Sequence, residues 1–262
     1  MGGVAIQRAS DFKARGTSWV LFSRGGGGKT SLAASCADSP FGSPCLFLDA
    51  EGGTRAISHR EDIDVLSVNS WRKIQDVHNE LKRGGHGYKT IVYDNLSEYA
   101  VLCIQGIAGI ADQPEIQEWG KSNRAILNLV REGRDMARFQ DINVVFIAWD
   151  VQDKDEMGRP LLNAAFTPGI QKELPGIVDT IGHISVADQK SGLRLLSFNP
   201  GPRTIAKFRR SQDEAALKIP FEIYYGLDNM PMPDILRVIK EGGDWPANKY
   251  PAPRQQHPAQ GA

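Results

Sequence analysis

The stretch Ser23-Arg24-Gly25-Gly26-Gly27-Gly28-Lys29-Thr30 decides the fold of this chain. An apolar run at 18–22 precedes it, and a stretch rich in alanine and serine at 31–36 follows it. The predicted order is therefore a strand, a glycine-rich turn and a helix. This is the layout of a phosphate-binding loop.

The residue types of the loop suit a polyphosphate. Glycines let successive backbone N–H groups approach the phosphates, and the start of the next helix adds further donors. Lys29 can reach the β- and γ-phosphates of ATP, while the Thr30 hydroxyl can bind Mg²⁺. Ser23 stands where the motif G-x-x-x-x-G-K-[ST] has its first glycine, so a merely flexible turn is the alternative. The predicted nucleotide-binding residues are Arg24, Gly25, Gly26, Gly27, Gly28, Lys29, Thr30 and Ser31.

The composition is that of a globular protein with a single large domain. Of the 262 residues, 41% are hydrophobic and 24% are charged. The 31 basic residues balance the 31 acidic ones, so no overall field indicates a nucleic-acid or membrane partner. Three cysteines without a C-x-x-C pair favour a reduced, cytoplasmic setting, and neither a signal peptide nor a membrane span is expected.

Short apolar runs alternate with helical patterns over most of the chain. Strands are predicted at 45–48, 65–68, 90–95 and 143–149, and helices at 71–83 and 116–139, which favours an α/β fold with a mostly parallel sheet. Closely spaced runs at 181–186, 193–198 and 204–208 predict antiparallel strands added to the sheet edge. We expect a lead-in at 1–17, a domain at 18–245 and a disordered tail at 246–262.

Carboxylates follow two of the predicted strands. Asp94 ends one strand and can hold the Mg²⁺ that Thr30 also contacts, although such a residue often only caps a turn. Glu51 ends another and is the candidate base that activates water. Asp49 is an alternative for that role, because spacing alone does not distinguish it from Glu51.

The segment Leu46-Phe47-Leu48-Asp49-Ala50-Glu51 resembles the strand and catalytic glutamate of RecA-family recombinases. The plan of residues 5–210 is similar to that of phage-encoded RecA-like ATPases that anneal single strands. The further resemblances are the lead-in Ser10-Asp11-Phe12-Lys13-Ala14-Arg15-Gly16, the run Glu51-Gly52-Gly53 and the late Ala206-Lys207-Phe208-Arg209.

The resemblance implies a RecA-like P-loop NTPase fold with helices on both sheet faces and a C-terminal antiparallel extension. It implies Mg²⁺-dependent ATP hydrolysis with Glu51 and Lys29 as catalytic residues, and Asp94 beside the metal. It also implies a homo-oligomer that acts on single-stranded DNA in recombination, with a single-strand-binding protein as a further partner. If the chain is phage-encoded, the host cytoplasm is the expected location.

Two further sets of residues follow from this resemblance. Lys207 and Arg209 match cations that reach a neighbouring subunit's γ-phosphate in RecA-like assemblies, and a solvated basic turn is the alternative. The segments 107–120 and 151–168 occupy the places of DNA-binding loops, where a lid over the nucleotide is equally compatible. Their candidate DNA contacts are Trp119, Lys121, Lys154 and Arg159.

Two rival functions remain open at this stage. The first is a nucleotide-gated annealing scaffold that hydrolyses little ATP, favoured by Ser23 and by Trp149, which stands where RecA has a polar sensor. The second is an ATPase that acts on a protein partner in replication or packaging, favoured by the neutral net charge.

Overall fold

A computed structural model describes residue 8 and residues 16–109, 113–154, 157–201, 204–209 and 218–250. The strands are β1 Ser18–Ser23, β2 Cys45–Asp49, β3 Ile63–Ser67, β4 Thr90–Asp94, β5 Asn143–Lys154, β6 Pro160–Ala164, β7 Thr180–Asp188, β8 Leu193–Ser197, β9 Lys207–Phe208 and β10 Glu222–Tyr225. The helices are α1 Lys29–Ala34, α2 Trp71–Lys82, α3 Leu96–Ala108, α4 Ile116–Gln140, α5 Pro168–Ile177 and α6 Met232–Glu241.

The sheet is mostly parallel, as the sequence predicts. Its order is β10-β8-β7-β1-β5-β4-β2-β3, with β6 paired to β5 and β9 paired to β7. The strands from β7 to β3 in this order run parallel, and β8 and β10 continue the sheet as antiparallel strands. The fold is therefore α/β with an antiparallel extension on its C-terminal side.

The direction of β7 differs from the sequence prediction. The sequence places residues 181–186 among antiparallel edge strands, but β7 pairs parallel to β1, with Trp19 opposite Thr180. Its other edge pairs antiparallel to β8. The connection through α5 explains the difference, because a strand that returns after a helical crossover lies parallel to its neighbour.

Apolar side chains cover both faces of the central strands. Every residue of β1, β2 and β4 is buried. On one face Val20 and Phe22 belong to a core with residues of α2, α3, α4 and α5. On the other face Trp19 and Leu21 belong to a core with residues of α1 and α6. Because successive strand residues point to opposite faces, helices on both faces follow from the continuous apolar runs.

The predicted loop at 151–168 is a hairpin in the structure. β5 continues beyond Trp149 to Lys154 and pairs antiparallel to β6, while α5 begins at Pro168. The predicted loop at 107–120 is also mostly helical, because α3 ends at Ala108 and α4 begins at Ile116. Residues 110–112, 155 and 156 lie outside the described residues.

The ends of the predicted domain are only partly described. Residues 246–250, which the sequence assigns to the tail, include a 3₁₀ turn at Ala247–Lys249, and the buried Tyr250 ring stacks on Trp245 at 5.0 Å. Residues 251–262 and most of the lead-in, including 9–15, lie outside the described part. Within the described part, all helices are too short or too polar to cross a bilayer.

A buried histidine links the sheet to the outer helices. His78 is 3% exposed, as its position on the apolar face of a helix predicts. Its Nδ1 lies 2.6 Å from the Tyr93 hydroxyl, and its Nε2 lies 3.1 Å from Glu132 Oε2. Lys82 Nζ donates to the other Glu132 oxygen at 2.5 Å. Burial lowers the pKa of His78 to about 4, and the neighbouring Glu132 opposes this shift.

This shift predicts a pH-dependent stability. The unfolded histidine titrates near 6.5, so the stability from the neutral imidazole is complete above that pH and is lost as the pH falls toward 4. The loss should reach about 3 kcal/mol in the free energy of unfolding. Urea denaturation between pH 7 and about 4 checks it, with His78→Gln as the comparison. Identical pH dependence in the two proteins would contradict the assignment.

Candidate functional site

The glycine-rich loop connects β1 to α1 and holds Lys29 below the surface. Gly28 has a φ of 94°, a conformation that favours glycine. Lys29 is 8% exposed, and its Nζ donates to the carbonyl oxygens of Ser23 at 2.9 Å and Arg24 at 3.0 Å. Burial lowers the pKa of Lys29, while the carboxylates of Asp94, Glu51 and Asp150 oppose the shift. Among the described residues, the hydrogen-bond acceptors of the Lys29 ammonium are neutral oxygens of the loop.

Ser23, which departs from the loop motif, is packed against a later glycine. Its side chain is buried, and its hydroxyl donates to the Arg24 carbonyl at 3.0 Å. A Cβ atom on Gly27 would lie 2.2 Å from Ser23 Oγ and 2.8 Å from Ser23 Cβ. The serine is accommodated because residue 27 has no side chain.

Asp94 meets Thr30 at the carboxyl ends of the strands. Thr30 Oγ1 donates to Asp94 Oδ2 at 2.8 Å. Burial raises the pKa of Asp94 to about 6, assisted by Asp49 and Glu51 and opposed by the Thr30 hydrogen bond. A hydroxyl and a carboxylate are hard oxygen ligands that suit Mg²⁺, which completes its shell with water and phosphate oxygens. The residues present therefore fit this metal, although the described residues hold no cluster of three or more acidic, histidine or cysteine ligands.

The two competing carboxylates, at the end of β2 and in the turn after it, have different surroundings. Asp49 is 4% exposed and its Oδ1 accepts the backbone N–H groups of Glu51 at 3.0 Å and Gly52 at 2.8 Å. Its other oxygen accepts the Thr54 hydroxyl. Asp49 therefore stabilises the turn, whereas Glu51 is exposed and its carboxylate accepts the Asn95 amide.

Most of the predicted site residues line one cavity of about 670 Å³. Lys29, Thr30, Glu51 and Asp94 line it, together with the predicted loop residues Gly25, Gly26, Gly28 and Ser31. Trp149 also lines it, and its backbone N–H donates to the Ser97 hydroxyl at 3.1 Å. Arg24 and Gly27 face a second cavity of about 820 Å³ beside β7, where Arg24 lies 3.8 Å from Asp150.

The remaining predicted residues lie outside the cavity beside the glycine-rich loop. Lys207 Nζ donates to the carbonyls of Pro175 at 2.6 Å and Val178 at 2.7 Å, and Arg209 pairs with Asp179 at 3.3 Å. Trp119 and Lys121 are exposed near the start of α4. Lys154 and Arg159 are exposed on the hairpin of β5 and β6.

The sequence interpretation missed several residues in or beside this cavity, among them Asn95 and Arg194. Asn95 caps α3 by accepting the Glu98 N–H at 2.7 Å, and it also donates to Glu51. An Asn-x-x-Glu pattern directly after Asp94 is a recognisable cap signal. Arg194, on β8, reaches the loop with its Nε 3.2 Å from the Gly27 carbonyl oxygen. No local pattern indicates this contact, because 167 positions separate the two residues.

The packing of Ser23 on Gly27 yields a test by paired substitution. Gly27→Ala should weaken nucleotide binding by about tenfold to a hundredfold, since overpacking costs about 1–3 kcal/mol. Adding Ser23→Gly should restore much of the affinity, because it removes the side chain that the new methyl group meets. Titration with a fluorescent ATP analogue measures both variants. Equal affinity in the single and double variants would show that the contact is irrelevant.

Comparison with known proteins shows the family to which the chain is related. The family model described as AAA domain matches residues 15–210, and no curated protein matches the chain. The crystal structure of the RadB recombinase is similar at 16% identity, with 81% of this chain and 88% of that chain covered and a TM-score of 0.49. P-loop families of this kind are generally ATPases. Because the family model covers well over half of its residues, this chain belongs to the AAA domain family.

Proposed function

We propose that this protein binds ATP with Mg²⁺ and hydrolyses it. The observation that carries the proposal is the convergence of Lys29, Thr30, Glu51 and Asp94 on one cavity beside the glycine-rich loop. The lysine supplies positive charge for the phosphates, and the hydroxyl and buried carboxylate suit the metal. Glu51 supplies a carboxylate that remains accessible from the cavity.

The reaction requires in-line attack of water on the γ-phosphorus. The new bond joins the water oxygen to phosphorus, the bond from phosphorus to the bridging oxygen breaks, and ADP leaves. Glu51 accepts the proton of the attacking water. Lys29 and the loop N–H groups hold the phosphates and stabilise their developing charge. Mg²⁺, when bound through Thr30 and Asp94, neutralises phosphate charge.

The proposed role is in recombination or single-strand annealing of DNA, as a homo-oligomer in the cytoplasm of a phage-infected host. Trp119 and Lys121 offer an aromatic ring and a cation at the start of α4, which suits single strands. The Thr167 hydroxyl, at the start of α5, donates to Asn123 Oδ1 of α4 at 2.8 Å, so the segment that follows the hairpin contacts this helix. Lys154 and Arg159 are exposed on the hairpin itself. A single-strand-binding protein fits this role as a further partner.

A second function is supported by the contact between Asn95 and Glu51. The Asn95 amide occupies one oxygen of the Glu51 carboxylate, so that oxygen can take a proton from water only after this hydrogen bond breaks. In this alternative the chain binds ATP, hydrolyses little of it and uses the bound nucleotide to gate DNA annealing. The two functions differ in whether Glu51 matters for turnover.

Glu51→Gln separates these functions. If Glu51 is the base, steady-state turnover should fall by about a hundredfold to ten-thousandfold while the Kd for ATP stays within a few fold. Lys29→Ala is the binding control and should lose both ATP binding and turnover. Phosphate release and ATP-analogue titration measure the two quantities. Turnover that survives in Glu51→Gln would exclude the proposed base, and retained annealing would favour the gated scaffold.

Trp119→Ala tests the DNA surface. Loss of base stacking should weaken binding to a single-stranded oligonucleotide by about tenfold. Phe139→Ala is the matched control, because Phe139 is also exposed on α4 but lies near its other end. Fluorescence anisotropy with a labelled oligonucleotide measures both affinities. Equal affinity of the two variants and the unsubstituted protein would remove Trp119 from the proposed surface.

A further inference from the structure

Arg194 reaches the glycine-rich loop from the antiparallel extension. β1 and β7 pair as far as Phe22 and His183, and β7 then continues to Val186, which lies opposite Arg194 on β8. The base of the arginine is therefore positioned beyond the carboxyl end of β1. Its side chain reaches back over the loop and lines the nucleotide cavity.

Within the described part of the chain, the hydrogen bonds of Arg194 go to neutral acceptors. Nε donates to the Gly27 carbonyl at 3.2 Å, and Nη1 donates to the Gly192 carbonyl at 3.0 Å. Among the residues that the structure describes, no carboxylate lies within ion-pair distance of the guanidinium. Arginine has five N–H donors, so these two hydrogen bonds fix its position and leave donors for a further acceptor.

Arg194 also leaves no space for a side chain at position 28 of the loop. A Cβ atom on Gly28 would lie 2.7 Å from Arg194 Nε and 3.2 Å from Arg194 Cδ. The guanidinium thus occupies the space beside the residue that immediately precedes Lys29. Any side chain at position 28 would displace it from the loop.

The charges around the cavity favour an additional cation. Glu51 and Asp94 line it, and both carboxylates act on the Lys29 ammonium. A nucleotide adds several negative charges from its phosphates, which these carboxylates repel. Arg60 also lines the cavity, but it is already paired with Asp38 and Asp62. A second fixed cation at the loop reduces this repulsion, and arginine suits phosphate because its planar donors match the oxygens of the anion.

The geometry points to Arg194 as a ligand of the nucleotide's phosphate chain that the same subunit supplies. This inference rests on the proposed nucleotide binding and assigns part of it to the antiparallel extension. The phosphate oxygens take the donors that the two carbonyls leave. Binding of a polyphosphate therefore ties the β7–β8 hairpin to the glycine-rich loop within one chain.

Arg194→Gln tests this inference in the full-length protein. Affinity for ATP and ADP should fall by about tenfold to a hundredfold, because hydrogen bonds from a charged group to phosphate are lost. Affinity for adenosine should stay within about twofold, since adenosine has no phosphate. Arg194→Lys should recover part of the loss. Inorganic pyrophosphate should displace the fluorescent analogue less effectively from Arg194→Gln than from the unsubstituted protein.

Lys190→Gln is the matched control, since Lys190 is an exposed cation in the turn of the same hairpin. It should leave every affinity unchanged, and thermal unfolding checks that both variants are folded. Equal loss for adenosine, ADP and ATP would overturn the inference and show that Arg194 only supports the loop. Unchanged affinities in Arg194→Gln would overturn it too. Absence of ATP binding in the unsubstituted protein would instead refute the proposed function itself.

Discussion

The parallel pairing of β1 with β5 and β7 is the constraint on which the site depends. Parallel neighbours end at the same edge of a sheet, so Ser23 lies opposite Trp149 and Asp49 lies opposite Asp94. Both faces of β1, β2 and β4 are buried. A shift of one residue would turn every side chain to the other face and disrupt both cores. The apolar packing thus fixes where the loop and the carboxylates meet.

Burial shifts the pKa values of two charged groups of the site, Lys29 and Asp94. The same desolvation lowers the pKa of Lys29 and raises the pKa of Asp94 to about 6. Both shifts show that the ionised forms are costly without partners of opposite charge. In the proposed complex, phosphate oxygens beside the lysine and Mg²⁺ beside the carboxylate would supply those partners. Binding energy is therefore available from groups that the fold has already removed from water.

The sequence predicts the parts of the fold that depend on local pattern. The loop, the strand ends at Asp49 and Asp94 and the bounds of α2 and α4 follow from apolar runs and turn residues. The resemblance to RecA-like proteins predicts a loop at 151–168, whereas β5 and β6 form a hairpin there; the residues of β5 beyond Asp150 are exposed, so pairing rather than burial makes them a strand. The direction of β7 and the contact of Arg194 depend on distant partners, which single-sequence patterns do not contain.

Lys207 and Arg209 lie at a different end of the sheet from Arg194, and this difference concerns whether a neighbouring subunit contributes to the nucleotide site. β9 pairs with the first residues of β7, with Phe208 opposite Thr180, so Lys207 lies toward the amino ends of the strands. The loop lies at their carboxyl ends, where Arg194 contacts Gly27. Lys207 already binds two carbonyl oxygens of its own chain, whereas the Arg209 side chain is 55% exposed. If one of these two cations contacts the nucleotide of a neighbouring subunit, Arg209 is therefore better placed to do so than Lys207. Arg194, in contrast, contacts the glycine-rich loop of its own chain.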